Sequence, residues 1–254
     1  MTHKLGCLLC VAWALIAPAN LRAEDENPIA RASAEQIPLE KISPGMRDKV
    51  AGLLKDHALY CRGPVEAFPC RPGVYQWLLD NPQWGFRAWR ALGAQCATVE
   101  HKDDGWFVGV DPQGSELRWQ TVLNEPGRRL WYVEGTGRLA PLTPTVTMKA
   151  VVFLRYQEVV GVDGRTGIRH RAELFAQFEE RTVAWLAKLT GFTASSTAGK
   201  AMEQVELFFS GMAWYVSEHP IWAKRVFPAN DAARPDEKQA METFWRELAA
   251  PPKS

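Results

Sequence analysis

Apolar residues recur at helical spacing between Thr197 and Ser217. Ala201, Met202, Val205, Phe208, Phe209, Met212, Ala213, Tyr215 and Val216 make one side, while Gly199, Glu203, Glu206, Ser210 and Ser217 line the opposite stripe. Leu207 and Trp214 widen the apolar side further. A helix this apolar needs a large partner surface, and the strands upstream are the only candidates.

Those strands are legible as alternation. Val65 to Phe68 alternates until Pro69 and Pro72 break it. The period then turns helical from Gly73 to Leu92, with Val74, Trp77 and Leu78 before the Asn81-Pro82 break and Trp84, Phe86, Trp89 and Leu92 after it, which predicts two short helices. Beyond Gly93 the pattern stays extended through Thr98 to His101, Trp106 to Val110, Glu116 to Asn124, Arg129 to Glu134, Val146 to Tyr156 and Arg169 to Phe178. Glu125-Pro126-Gly127 reads as a hairpin turn, and Asp163-Gly164 sits in the last connection. Consecutive hairpins of this kind build a meandering antiparallel sheet.

Further helices are predicted over Gly45 to His57, Glu179 to Leu189 and Asp236 to Leu248, the last as a surface helix. Glu24 to Pro44 mixes charge, alanine and proline without a period and reads as an extended arm, and Tyr60 to Gly63 as a link. His219-Pro220 stops the long helix.

The first residues change the picture of where the chain works. His3 and Lys4 precede an apolar run from Leu5 to Ala17, too short to span a bilayer, and small residues at Ala17, Ala19 and Ala23 offer cleavage positions. This pattern predicts a signal peptide over 1–23, with cleavage favoured after Ala23, and an exported protein, periplasmic or secreted. The remaining chain divides into an arm and short helix over 24–58, a main domain over 59–218 and a tail with a surface helix over 219–254.

The full chain carries a formal charge of +1, of which Lys4 and Arg22 in the leader contribute two, so the mature chain is near −1. No net field draws it to nucleic acid or to an anionic membrane, and no second apolar stretch predicts a membrane span. At 46% hydrophobic residues it can bury one sizeable core.

Beyond the leader the cysteines are Cys61, Cys70 and Cys96, in a compartment that permits disulfides. Cys70 ends the first strand and Cys96 begins the next after the helical pair. If those strands are antiparallel neighbours their ends meet, and a Cys70 to Cys96 bridge is expected. His57, His101, His170 and His219 never join the cysteines at zinc spacing, so no metal or other cofactor is predicted.

Catalytic signatures are absent. Gly135-Thr136-Gly137-Arg138-Leu139-Ala140 superficially fits a dinucleotide fingerprint, but Pro141 and Pro144 forbid the helix that would present amides to a pyrophosphate. It reads as a flexible strand connection. Alternation places His170 and Arg171 on opposite faces of one strand and Arg171 and Glu173 on the same face, within reach of Arg155 from the neighbouring strand. No specific enzyme activity follows from these residues.

The order of a strand, two short helices, a run of antiparallel strands and a long helix resembles the helix-grip fold of the START, polyketide-cyclase and Bet v 1-like superfamily. Val65-Glu66-Ala67-Phe68-Pro69, followed by Tyr75-Gln76-Trp77-Leu78-Leu79-Asp80 and Trp89, resembles its opening. The chain as a whole also resembles an uncharacterised family of exported bacterial proteins. The helix-grip resemblance implies an α+β domain whose curved antiparallel sheet grips a long C-terminal helix. It also implies a cavity between them for an apolar small molecule or lipid.

On that reading Trp119, Trp131, Leu154, Phe208 and Met212 line the cavity, and Arg155 and Glu173 stand at its mouth. The resulting expectation is a non-enzymatic exported binding domain. The alternatives are an interaction or scaffold protein whose cavity is filled by its own aromatics, and a cyclase- or hydrolase-like enzyme using Glu173, His170 or Arg155.

Overall fold

The computed structural model describes residues 27–112, 114–138, 145–179, 194–227 and 235–249. The signal peptide expected over 1–23, the expected helix Glu179 to Leu189 and the Pro251-Pro252 tail lie outside them, apart from Glu179 itself.

The alternating segments form β1 (Leu59–Arg62), β2 (Glu66–Pro69), β3 (Thr98–His101), β4 (Phe107–Val110), β5 (Glu116–Glu125), β6 (Arg128–Arg138), β7 (Thr145–Val160) and β8 (Thr166–Phe178). All eight join one antiparallel sheet in the order β1-β8-β7-β6-β5-β4-β3, with β2 pairing β8 on the same edge as β1. From β3 to β8 each strand pairs with its sequence neighbour, as a meander requires. Pro126 and Gly127 close the β5–β6 hairpin, and Gly127 takes φ +80°, which a side chain would resist. The Gly135 stretch is no loose connection as far as Arg138: it continues β6, with Gly135 opposite Met148 and Gly137 opposite Val146.

The described helices are α1 (Pro28–Ala34), α2 (Pro44–Lys55), α3 (Pro72–Asp80), α4 (Pro82–Ala91), α5 (Ala194–Glu218), α6 (Pro220–Val226) and α7 (Pro235–Ala249). Each except α5 begins on a proline, whose fixed φ and missing N–H suit the first helical turn. The expected extended arm is therefore partly helical. Asn27 caps α1 by accepting the Ile29 and Ala30 amides at 3.0 and 3.3 Å.

Alternation gives the sheet two faces, each packed against helices over part of its area. On the front, Leu154, Ala172, Leu174 and Ala176 join a core with Val74, Tyr75 and Trp77 of α3 and Met212 and Val216 of α5. The long helix lies over the β1–β8–β2 edge and against α3 and α4. On the back, Val151, Phe153 and Phe175 pack under Ala30 of α1 and Val50, Leu53 and Leu54 of α2.

The final helix is no mere surface element. Met241, Phe244 and Leu248 of α7 are buried, the Phe244 ring lies 4.2 Å from that of Trp77, and Trp77 Nε1 donates to the Ala240 carbonyl at 2.7 Å. Among the described residues no helix is long and apolar enough to cross a membrane.

β1 is the strand that local pattern hides. Its four residues pair with Glu173 to Ala176, and the chain then leaves the ladder at Gly63-Pro64-Val65 before β2 rejoins it opposite Gly167 to His170. Proline has no N–H to give a ladder. This break in the sheet edge positions the polar groups described next.

Candidate functional site

At the break, the Gly63 amide donates to the Ala172 carbonyl at 2.9 Å, but the Ala172 amide faces no strand. Glu206 of α5 supplies the missing acceptor, its Oε1 taking the Ala172 N–H at 2.5 Å. The carboxyl lies so close to Gly63 that an added Cβ there would stand 2.6 Å from Glu206 Cδ, so only glycine leaves room for it. Glu206 is 1% exposed, and its Oε2 has no protein partner. Burial raises its pKa to about 8 against the lowering effect of the Ala172 hydrogen bond, which leaves it largely a neutral carboxyl at pH 7.

Two residues along β8, His170 bridges the core and the edge. Tyr75 Oη stands 2.7 Å from His170 Nδ1, and His170 Nε2 stands 3.2 Å from Glu66 Oε2. Burial lowers the His170 pKa, with Glu66 opposing, and burial raises that of Tyr75 well above its usual range. The neutral tautomer that satisfies both contacts accepts the Tyr75 hydroxyl at Nδ1 and donates from Nε2 to Glu66. Such a line ties a half-buried carboxylate at the edge to a buried phenol through one imidazole. Nearby, Arg129 is buried against Asp80 at 2.7 Å and Asn124 at 3.0 Å, tying the end of α3 to the sheet.

The aromatic and aliphatic residues expected to line a cavity stand on this front face. Trp131, Leu154 and Met212 share one buried cluster, and Phe208 lies in an adjoining one against which Trp119 packs. Phe209 links them, stacked on Trp131 with centroids 6.0 Å apart and edge-on to Phe208 at 5.1 Å.

Arg155 and Glu173 are elsewhere. Strand alternation puts both on the back face, so neither stands at the mouth of a front-face cavity. There Glu173, 1% exposed, accepts three hydrogen bonds, from Ser33 Oγ at 2.5 Å and Arg155 Nη2 at 2.9 Å on Oε2 and from Tyr60 Oη at 3.0 Å on Oε1, and forms an ion pair with Arg62 Nε at 3.0 Å on Oε1. Arg155 also donates to Gln36 Oε1 at 2.6 Å. The carboxylate thus pins α1 and the turn after it to the sheet.

The expected Cys70 to Cys96 bridge is absent. β2 pairs with β8 and not with β3, so the two cysteines flank opposite edges of the sheet. Cys96 Sγ instead lies 3.6 Å from the Phe86 carbonyl, and burial pushes the Cys70 thiol up to about 12. Among the described residues no group of three or more His, Cys, Asp and Glu is placed to hold a metal ion.

Residue type concealed Glu206 and Ser210. The helical period puts both on the polar stripe opposite the apolar side, yet both are buried, while Leu207 and Trp214 are exposed. The spacing held the signal: Met202, Glu206, Phe209 and Ala213 follow each other by four, three and four residues along one helical face.

No family model matches this chain, and no curated protein matches it. Among solved structures, a conserved protein from Geobacillus kaustophilus is 11% identical with a TM-score of 0.43, over 63% of this chain and 97% of that one. An uncharacterised protein from Rhizobium leguminosarum is 13% identical with a TM-score of 0.29, over 59% of this chain and 95% of that one.

Proposed function

We propose that this chain is an exported, non-enzymatic binding domain that holds an apolar small molecule or lipid between the sheet front and the long helix, in the manner of a helix-grip domain. The export part rests on the leader pattern of residues 1–23. The observation that carries the binding part is Glu206, a carboxyl whose Oε2 is buried without a protein partner on the helix that also supplies Met202, Phe209 and Met212. Ligand sites are mostly apolar with a few placed polar groups, and a buried polar atom left unsatisfied is costly until a partner arrives. A neutral carboxyl both donates and accepts, so an apolar molecule with one hydroxyl, amide or carboxyl end suits it.

Protein purified without detergent and examined by native mass spectrometry is expected to carry an apolar ligand, or to bind fatty acids or lipids saturably with a change in tryptophan emission. Glu206→Leu should weaken that binding for ligands with a polar end. A protein that carries nothing and responds saturably to no apolar class overturns the reading.

A second reading, a scaffold whose core is filled by its own side chains, is favoured by the mutual burial of Phe208, Met212, Leu154 and Trp131 and by the Trp131–Phe209 stack. The same titration separates the two, since a filled core gives no saturable response.

A further inference from the structure

On the back face, directly opposed residues across four adjacent strands read Glu125, Arg128, Arg155 and Arg171. Like charges directly opposite one another in a sheet are destabilising, and here three arginines stand in register. Glu125 bonds Arg128 at 2.8 Å and Lys41 at 2.5 Å, and Glu173 bonds Arg155 and Arg62. That sets five cations, Lys41, Arg62, Arg128, Arg155 and Arg171, against two carboxylates.

Arg171 is the one left over. It makes no ion pair among the described residues, its Nε is buried and unsatisfied, and it lies at the level where the sheet edge breaks between β1 and β2. Its own burial comes first, and then the charges of Arg62 and Arg155, in lowering its pKa, while Glu173 and, from the other side of the break, Glu206 oppose. The surrounding heads are reachable from solvent: the side chains of Arg62 and Arg128 are 38% exposed and that of Arg155 32%.

We propose that this arginine row is an oxyanion-binding site for a phosphate group, with Arg171 as the central ligand and Arg62 and Arg155 at its sides. Arginine's planar fork matches phosphate oxygens two at a time, and a surplus of clustered guanidinium groups is relieved by an anion that bridges them. The site is separate from the front-face interface and stands whether or not that interface binds an apolar ligand. The phosphate is borne either by a small soluble molecule or by a lipid headgroup, and the two sources share this chemistry.

The test uses the full mature chain at constant ionic strength, with inorganic phosphate replacing chloride in one arm. In a second arm, phosphatidylglycerol vesicles are compared with phosphatidylcholine vesicles. The expected result is a saturable rise in Tm with phosphate, reduced at least tenfold in apparent affinity by Arg171→Gln and unchanged by Arg225→Gln, an exposed arginine on α6. Binding to phosphatidylglycerol vesicles in addition identifies a lipid headgroup, and phosphate alone a soluble molecule.

Arg171→Gln without ligand should also melt above the wild type, because a repulsive charge has gone. A purely structural arginine would give the opposite. No response beyond that to chloride, a response that persists in Arg171→Gln, or a ligand-free variant that melts below the wild type or fails to fold overturns the proposal.

Discussion

The Glu206 carboxyl accepts the Ala172 amide at the level where β8 has no strand on its outer side, so a side chain from the long helix completes the backbone ladder of the sheet. The helix and the sheet edge are thereby joined by a hydrogen bond as well as by apolar contact.

This bond carries a pH dependence. Burial holds Glu206 at about 8 in the folded chain, against ~4.3 for an ordinary glutamate. Folding therefore takes up a proton here: the stability involved is complete below about pH 4.3 and is lost as pH rises through the folded value. Urea melts of the wild type should lose stability from about pH 5 to about pH 8, with up to ~1.4 kcal/mol per pH unit from this one group. Glu206→Gln should remove that slope, and equal slopes in both proteins would place the dependence elsewhere.

Gly63 is the other half of the arrangement. Gly63→Ala should displace the Glu206 carboxyl and cost ~1–3 kcal/mol, as overpacking does. Because the two residues share one space, the double variant Gly63→Ala with Glu206→Ala should cost less than the sum by at least ~0.5 kcal/mol. Strict additivity in urea melts would show that the close approach is not felt.

In the long helix, Phe208 is buried against Phe86, with ring centroids 4.5 Å apart, whereas Glu203 is exposed. Phe208→Ala should cost ~3–5 kcal/mol. Glu203→Ala should stay within ~0.5 kcal/mol. Phe209→Ala, half-buried, should fall between them, and comparable losses at Phe208 and Glu203 would reverse the face assignment.

On the back face, Glu173→Gln should cost ~1.5–3 kcal/mol, because it removes the charge that Arg62 and Arg155 share while both arginines still reach solvent. Since Ser33 and Tyr60 also bond Glu173, α1 should loosen as well. Trypsin is then expected to cut at Arg31 faster than in the wild type. Unchanged cleavage would mean that apolar packing alone holds α1.

Cys70 and Cys96 should remain unbridged under oxidising conditions. Alkylation of the native protein should reach half-exposed Cys96 well before Cys70, whose thiol is buried and pushed up to about 12. Peptide mapping that recovers a Cys70–Cys96 disulfide would contradict the strand order.

Element types were legible because side-chain period follows local backbone geometry. Thr98 to His101, the helix pair broken at Asn81-Pro82 and the Glu125-Pro126-Gly127 hairpin carry their signals within a few residues, and each formed where the pattern put it. The long helix likewise spans Ala194–Glu218, around the expected Thr197 to Ser217.

Partners, by contrast, were decided by tertiary structure. Leu59 to Arg62 is a strand only because β8, far along the chain, pairs with it, and β2 left β3 for that same edge, which separated Cys70 from Cys96. Local pattern says which side of an element is apolar but not what covers it. The burial of Glu206 depends on an amide 34 residues away, and that of Glu173 on a serine 140 residues away. Residue type alone reads a carboxylate as solvated; only the fold supplies the donors that let it be buried.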